Sequence, residues 1–282
     1  MKSHGIAYLN QPGYQDQPGY QGVSWNPVVG CSHAGAGCAN CYAEALAASR
    51  LYKTAKYKDL TRNGRWTGEV RMWEPELDKP LHWRKPRCVF VCDMGDLFHR
   101  RLRPGSVDRV IEIVHDTPRH RYLFLTKRPR IMAADMALWE LTDEGVPRNA
   151  WFGASAWDQA SADANVPHLL RVPAAVRWLS LEPLLGPVDL HNVWLPGCGL
   201  RSALDGVDRS DREMPCMNWV VPGCESGPNR RPCKLDWVRS VVLQCADAGV
   251  KCFVKQLDLD GRVSHDPAEW PEDLRVREYP DA

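Results

Sequence analysis

Seven short apolar segments, each ending in a polar or glycine-containing tip, set the limits on how this chain folds. They are SWNPVVG (24–30), RCVFVCDMGD (87–96), RYLFLTKRP (121–129), AWFGASAWD (150–158), VRWLSLEPLLG (176–186), MNWVVPGCESG (217–227) and VKCFVKQL (250–257). Their apolar residues run nearly unbroken rather than alternating, the pattern of strands buried on both faces of a parallel sheet. Amphipathic stretches at 42–53, 106–116, 158–170 and 235–248 lie between them and read as helices, with Ser106 and Asp236 near the starts as caps. This rhythm predicts an α/β fold, a parallel βα barrel of TIM-like kind, partial or complete. A doubly wound sheet is the alternative, but no G-x-G-x-x-G follows the first strand.

The chain has 282 residues, which suits one large domain. Residues 1–22 carry a doubled QPGYQ and read as an extended N-terminal arm. The barrel is expected over 23–282, with 191–215 breaking the rhythm as an inserted loop. Net charge is +1, so no global field draws the chain to nucleic acid. No run of about eighteen apolar residues suggests a membrane span, and the N-terminus lacks the apolar centre of a signal peptide. A cytoplasmic protein with no membrane partner is the expectation. Eleven cysteines, an odd number, then argue for metal or reactive thiols over a disulfide framework. Cys88, Cys245 and Cys252 sit in apolar patterns and read as core residues.

Chemistry in a parallel barrel sits at the C-terminal strand ends. Those ends here carry Cys31, then Asp93 and Asp96, then Thr126, Lys127 and Arg128. Ser155 with Asp158, Glu182, Glu225 with Ser226, and Lys255 with Gln256 follow. Polar caps on single strands are ordinary, but a series at every exit suggests one active-site rim.

Cys31, Cys38 and Cys41 fall between the first strand and the first helix, spaced C-x6-C-x2-C. Thiolate sulfur suits zinc or an iron–sulfur cluster. A structural site normally uses four protein ligands. Three thiolates on a four-iron cluster leave one iron for a small molecule, which gives the number three a meaning. Zinc held by the three cysteines and His33 is the competing reading, although His33 lies only two residues after Cys31.

With Tyr42 after the last cysteine and a βα rhythm, this loop resembles that of the radical S-adenosylmethionine superfamily, whose usual first gap is three residues. WNPVVGC, GCANCYAE, MGDLF, LTKRP, WFGASAWDQ, LEPLLGPVDL, ESGPNRRP and CADAGVKCFVKQ together resemble a phage and prophage three-cysteine-motif family, usually described as radical S-adenosylmethionine-like. Two positions depart from that family: Cys224 stands where it has glycine, and Leu257-Asp258 where Trp-Gly is common.

The resemblance implies a 4Fe-4S cluster on Cys31, Cys38 and Cys41, with S-adenosylmethionine chelating the open iron. An external electron donor is then needed, and a 5′-deoxyadenosyl radical does the chemistry. It further implies Asp93, Gly95 and Asp96 at the methionine amino group, and Ser155 at the ribose or carboxylate. Glu182 is another cofactor or substrate contact, and Tyr42 flanks the adenine. Lys127, Glu225 and Lys255 are the catalytic candidates, with Arg128, Arg230 and Arg231 as holders of a carboxylate or phosphate. Cys92 and Cys224 are either hydrogen donors or packing residues. The phage connection implies a modified thymine nucleotide or DNA as partner, in the host cytoplasm. The implied reaction is an isomerisation moving a glycine-like substituent on thymine from nitrogen to carbon attachment. A repair lyase similar to spore photoproduct lyase and a non-catalytic zinc-stabilised nucleic-acid-binding module are the alternatives. Tyr14, Tyr20 and Trp194 are candidates for gripping a strand.

Overall fold

The computed structural model describes residues 5–10, 19–206, 214–227 and 229–281. Each of the seven apolar segments contributes one strand to a seven-stranded parallel sheet, and the strands follow one another in chain order. They are β1 (Gln21–Trp25), β2 (Arg87–Val91), β3 (Arg121–Thr126), β4 (Ala150–Ser155), β5 (Val176–Leu181), β6 (Trp219–Pro222) and β7 (Lys251–Cys252). The α/β class read from the sequence therefore holds. β4 is buried at every position, as a strand covered on both faces must be. Five α-helices occur: α1 (Tyr42–Leu46), α2 (Ser106–His115), α3 (Pro129–Trp139), α4 (Gln159–Leu169) and α5 (Leu235–Asp247). Among the described residues no helix is long and apolar enough to cross a membrane.

The chain divides into two compact units, residues 1–151 with 173–175 and residues 152–172 with 176–282. In the first, β1 pairs with β2 from Gln21 opposite Arg87 to Trp25 opposite Val91, and β2 pairs with β3 from Cys88 opposite Arg121 to Val91 opposite Phe124. Trp25, fully buried, meets the Tyr122 ring edge-on at 5.8 Å. The strands are shorter than the apolar runs because the polar tips leave the sheet. At the end of β2 the turn begins on Cys92, a non-glycine residue with φ 60°. α1 is also shorter than the periodicity suggests, and passes into one π-helical turn at Ala47–Leu51.

Three sequence readings in this unit need correction. Residues 121–129 are not one strand with its tip, because Pro129 opens α3 at its first position. Ser106 does not cap α2: Gly105, at φ 77°, holds that place, and Ser106 is the first helical residue. Part of the 1–22 arm is also fixed. Ala7–Leu9 form a 3-10 turn with Tyr8 and Leu9 buried, and the Asn10 side chain accepts the Gly22 N–H at 3.3 Å. Tyr20 lies half-buried under the Arg121 guanidinium at 4.6 Å. Tyr14 lies outside the described residues.

In the second unit, Trp219 of β6 stands opposite Trp178 of β5 and Lys251 of β7. The two indoles are fully buried with centroids 5.7 Å apart, an aromatic pair worth about 0.5–1.5 kcal/mol beyond its area burial. α4 begins on a reciprocal cap: Asp158 accepts the Ser161 N–H at 2.8 Å, and Ser161 Oγ accepts the Asp158 N–H at 2.9 Å. Asp236 does not cap α5; Lys234 occupies the cap position and Asp236 lies in the first turn. Within 191–215, Val193–Leu195 and Gly199–Arg201 form an antiparallel hairpin that leaves Trp194 exposed.

Candidate functional site

The cysteine loop leaves β1 through a tight passage. Gly30 bridges to Gly95 just past β2, and a Cβ on Gly95 would sit 2.9 Å from the Val28 carbonyl oxygen and 3.0 Å from Val29 Cα. Gly95 is thus required for backbone approach, whatever else it does. Cys38 is buried and its sulfur accepts the Ala34 N–H at 3.4 Å. Cys41, half-buried, packs against the apolar cluster of Val29, Ala43, Ala47, Tyr57, Leu60 and Met94. Cys31 is half-buried, and its sulfur receives the Arg128 Nη1 donor at 3.7 Å. Burial, with the Asp96 carboxylate nearby, pushes the Cys31 thiol up to about 12, against the opposing pull of Arg128.

His33 is turned to Glu44, at 3.0 Å, rather than presented with the thiols as a fourth ligand. Glu44, buried in the first turn of α1, also accepts from Arg65 at 3.0 Å and from the Trp66 backbone at 2.7 Å. Among the described residues no group of three or more His, Cys, Asp or Glu side chains is arranged to hold a single metal ion. A four-iron cluster asks for something else, because each thiolate binds its own iron and the sulfurs need not converge on one point. Three thiols on one loop, with N–H donors on two of the sulfurs, fit such a cluster chemically.

Around the loop, the β2 tip is tied by side chains. Asn26 donates to Asp93 Oδ1 at 2.5 Å and accepts the Met94 N–H at 3.0 Å. The Tyr42 hydroxyl donates to the Asp93 carbonyl at 2.9 Å, while the residue stays 53% exposed. Asp96 is buried with both oxygens engaged. Oδ1 accepts from Thr126 Oγ1 at 2.8 Å and from the Phe98 N–H at 3.0 Å, and Oδ2 accepts from Arg128 at 2.6 Å. Arg128 is therefore not a free anion holder, as the sequence suggested; it is committed to Asp96, Ser32 and Cys31. Lys127, beside it, is half-buried. Cys92 is buried, with its thiol pKa raised mainly by burial.

The second unit holds its own polar cluster. Lys255 donates to both Glu182 oxygens, at 2.6 and 2.7 Å, and Gln256 Nε2 donates to Glu182 at 2.7 Å and to the Cys224 carbonyl at 2.7 Å. The same orientation leaves Gln256 Oε1 buried without a hydrogen-bond partner, and Ser155 Oγ at the end of β4 is in the same state. Glu225 is gripped by Arg231 through Nη2 at 2.6 Å, Nε at 3.0 Å and the backbone N–H at 2.8 Å. Arg231 is thus engaged too, and Arg230 has its Nε buried without a partner. Cys224 is buried, its thiol pKa raised chiefly by burial.

The structure thus brings Cys31, Cys38, Cys41, Tyr42, Asp93, Gly95 and Asp96 together in one unit, and Glu182 with Lys255 in the other. Sequence reading missed Glu44, Ser32, Asn26 and His99, whose Nε2 lies 2.8 Å from Ser32 Oγ, as the residues that fix the loop. Only Glu44 carried a local signal, an acidic residue in a helix's first turn. A family described as "Protein of unknown function (DUF5131)" matches residues 18–266. No characterised protein and no solved structure matches the chain.

Proposed function

The chain belongs to the DUF5131 family, and from the cysteine loop at the end of β1 we propose that it is a radical S-adenosylmethionine enzyme. In this reading the sheet is the wall of a partial or complete βα barrel, with the loop at the strand tips where such folds keep their chemistry. Cys31, Cys38 and Cys41 would hold a 4Fe-4S cluster, leaving one iron for S-adenosylmethionine. When bound, this group supplies an electron to the sulfonium and so a carbon radical able to remove hydrogen. The observation that carries the reading is three thiols on one loop with N–H donors already on two sulfurs.

The chain's residues divide the remaining work. Asp93 is preferred over Asp96 for the methionine amino group, because both Asp96 oxygens are engaged. Tyr42, anchored through its hydroxyl, keeps an exposed ring for the adenine. In the second unit, Glu182–Lys255 and Glu225–Arg231 are charges paired in advance. A substrate bearing both an ammonium and a carboxylate can exchange partners with such pairs without stranding a bare charge. That supports an amino-acid-like group, and with it a glycine-like substituent on thymine rearranged in phage DNA. Ser155 Oγ and Gln256 Oε1 are the orphaned groups that substrate or cofactor would satisfy. The base must leave the duplex, at a cost of a few kcal/mol. Lys127 and Arg230 are the candidate cations for a substrate anion, and an external donor supplies the electron.

Anaerobic reconstitution tests the reading. Wild-type protein should take up iron and sulfide with a brown absorption that Cys38→Ala abolishes. Reduced enzyme with S-adenosylmethionine and glycine-modified thymidine should yield 5′-deoxyadenosine and a product of unchanged mass but altered retention. Splitting of a thymine dimer with the modified nucleoside untouched would make it a lyase. Zinc in place of iron in the wild type would make it a binding module.

A further inference from the structure

We propose that Arg128 is the positioning residue of the cysteine loop: its guanidinium, oriented by Asp96, fixes the Cys31–Ser32 corner and, given the cluster reading above, tunes the cluster through Cys31. Arg128 is the residue just before α3, at its cap position, yet its side chain turns back to a loop 96 positions earlier in the chain. Every N–H on its two terminal nitrogens has an acceptor. Nη1 donates to Asp96 Oδ2 at 2.6 Å and to Cys31 Sγ at 3.7 Å. Nη2 donates to the Ser32 carbonyl at 2.7 Å and to Ser32 Oγ at 3.0 Å. Asp96 is itself held by Thr126 and Phe98, and Thr126 Oγ1 also accepts the Arg128 N–H at 2.9 Å.

The arrangement is a closed brace. A buried ion pair of this kind adds little net stability, since desolvation offsets the attraction. What it does supply is direction, and a planar fork can hold Asp96 on one arm and Ser32 on the other where a lysine, with one point of charge, cannot. His99 completes the brace. Its Nδ1 accepts the Arg101 N–H at 3.2 Å, which puts the ring proton on Nε2, 2.8 Å from Ser32 Oγ. Ser32 Oγ thus accepts two donors and keeps its own proton to give away. At the sulfur, a cationic N–H favours the more negatively charged, reduced state of any cluster that Cys31 binds.

Charge and fork are separable by substitution. R128Q removes both, and R128K keeps the charge alone. In metal-free protein, backbone amides of residues 30–41 should exchange about tenfold faster in both variants than in the wild type, the change expected from loss of roughly 1.4 kcal/mol of local protection. After anaerobic reconstitution, the midpoint potential should move to more negative values in R128Q, and less so in R128K. Wild-type exchange rates in the loop of both variants, or equal potentials in all three proteins, overturn the proposal. If R128Q does not fold, R128K decides it by the same exchange measurement. If the wild type binds no cluster, the cluster reading falls, and loop exchange alone decides whether Arg128 positions the loop.

Discussion

Glu44 accepts the Trp66 backbone N–H at 2.7 Å with the same oxygen that holds His33 at 3.0 Å, so one buried carboxylate ties the cysteine loop to a segment some twenty residues further on. Its other oxygen takes Arg65 at 3.0 Å. Glu44→Ala takes the partner from the backbone donor of half-buried Trp66 and should lower the unfolding free energy by about 1 kcal/mol. Urea unfolding of the variant against the wild type measures it, and Glu44→Gln should recover part of the loss.

Two buried histidines set an acid limit on the fold. His99 and His120 are both held down to about 4, first of all by burial, with neighbouring arginines adding to it. Each accepts a backbone N–H on Nδ1, from Arg101 and Arg87, and that bond is lost when the nitrogen protonates. An unfolded histidine titrates near 6.5. The unfolded chain therefore binds more protons between about pH 6.5 and 4, and stability is full above that window and falls through it. Each residue contributes a slope of up to about 1.4 kcal/mol per pH unit. Thermal melts from pH 8 to 4 should show this decline, and His120→Gln should flatten it.

Gly153 lies in β4 where any Cβ would overlap the Trp178 indole on β5. Trp178 is itself fully buried and packed against Trp219. Gly153→Ala should cost about 1–3 kcal/mol by overpacking, read as a lower denaturant midpoint with an unchanged slope.

The Glu182–Lys255 pair should separate substrate handling from metal loading. Glu182→Ala removes one acceptor of Lys255 and one of Gln256. Under the proposed function, iron content stays at the wild-type value while substrate turnover falls on the order of 10²-fold, as expected for a displaced positioning group. An iron content that falls with turnover would remove Glu182 from substrate handling.

The strands were legible because burial on both faces writes itself into local composition: all six residues of β4 are buried, and the run at 150–158 could be read without any knowledge of neighbours. α3 was missed although Pro129 at its start and Met132, Met136 and Trp139 along one buried face were visible signals; the polar tip before it masked the change of period. The caps failed by one or two positions, because whether Gly105 or Ser106 precedes the first helical residue depends on a backbone angle. The three cysteines were legible as a cluster, but the brace on them was not. Asp96 and Ser32 reach Arg128 across 32 and 96 positions, and no spacing rule links residues so far apart.

Most of the sulfur in this chain is chemically silent. Cys88, Cys92, Cys224, Cys233, Cys245 and Cys252 are all buried. Burial raises the thiol pKa of Cys88, Cys92, Cys224 and Cys233, and Cys252 is raised first by its hydrogen bond with Cys245 and then by burial. A thiol closed off from solvent is out of reach of electrophiles and metal ions alike, and its raised pKa slows it further. The folded chain thereby sorts its eleven cysteines by address. Reagents arriving from solvent, whether iron, an alkylating label or an oxidant, meet Cys198 on the surface, the half-buried Cys216 and the mouth of the loop at Cys31 and Cys41.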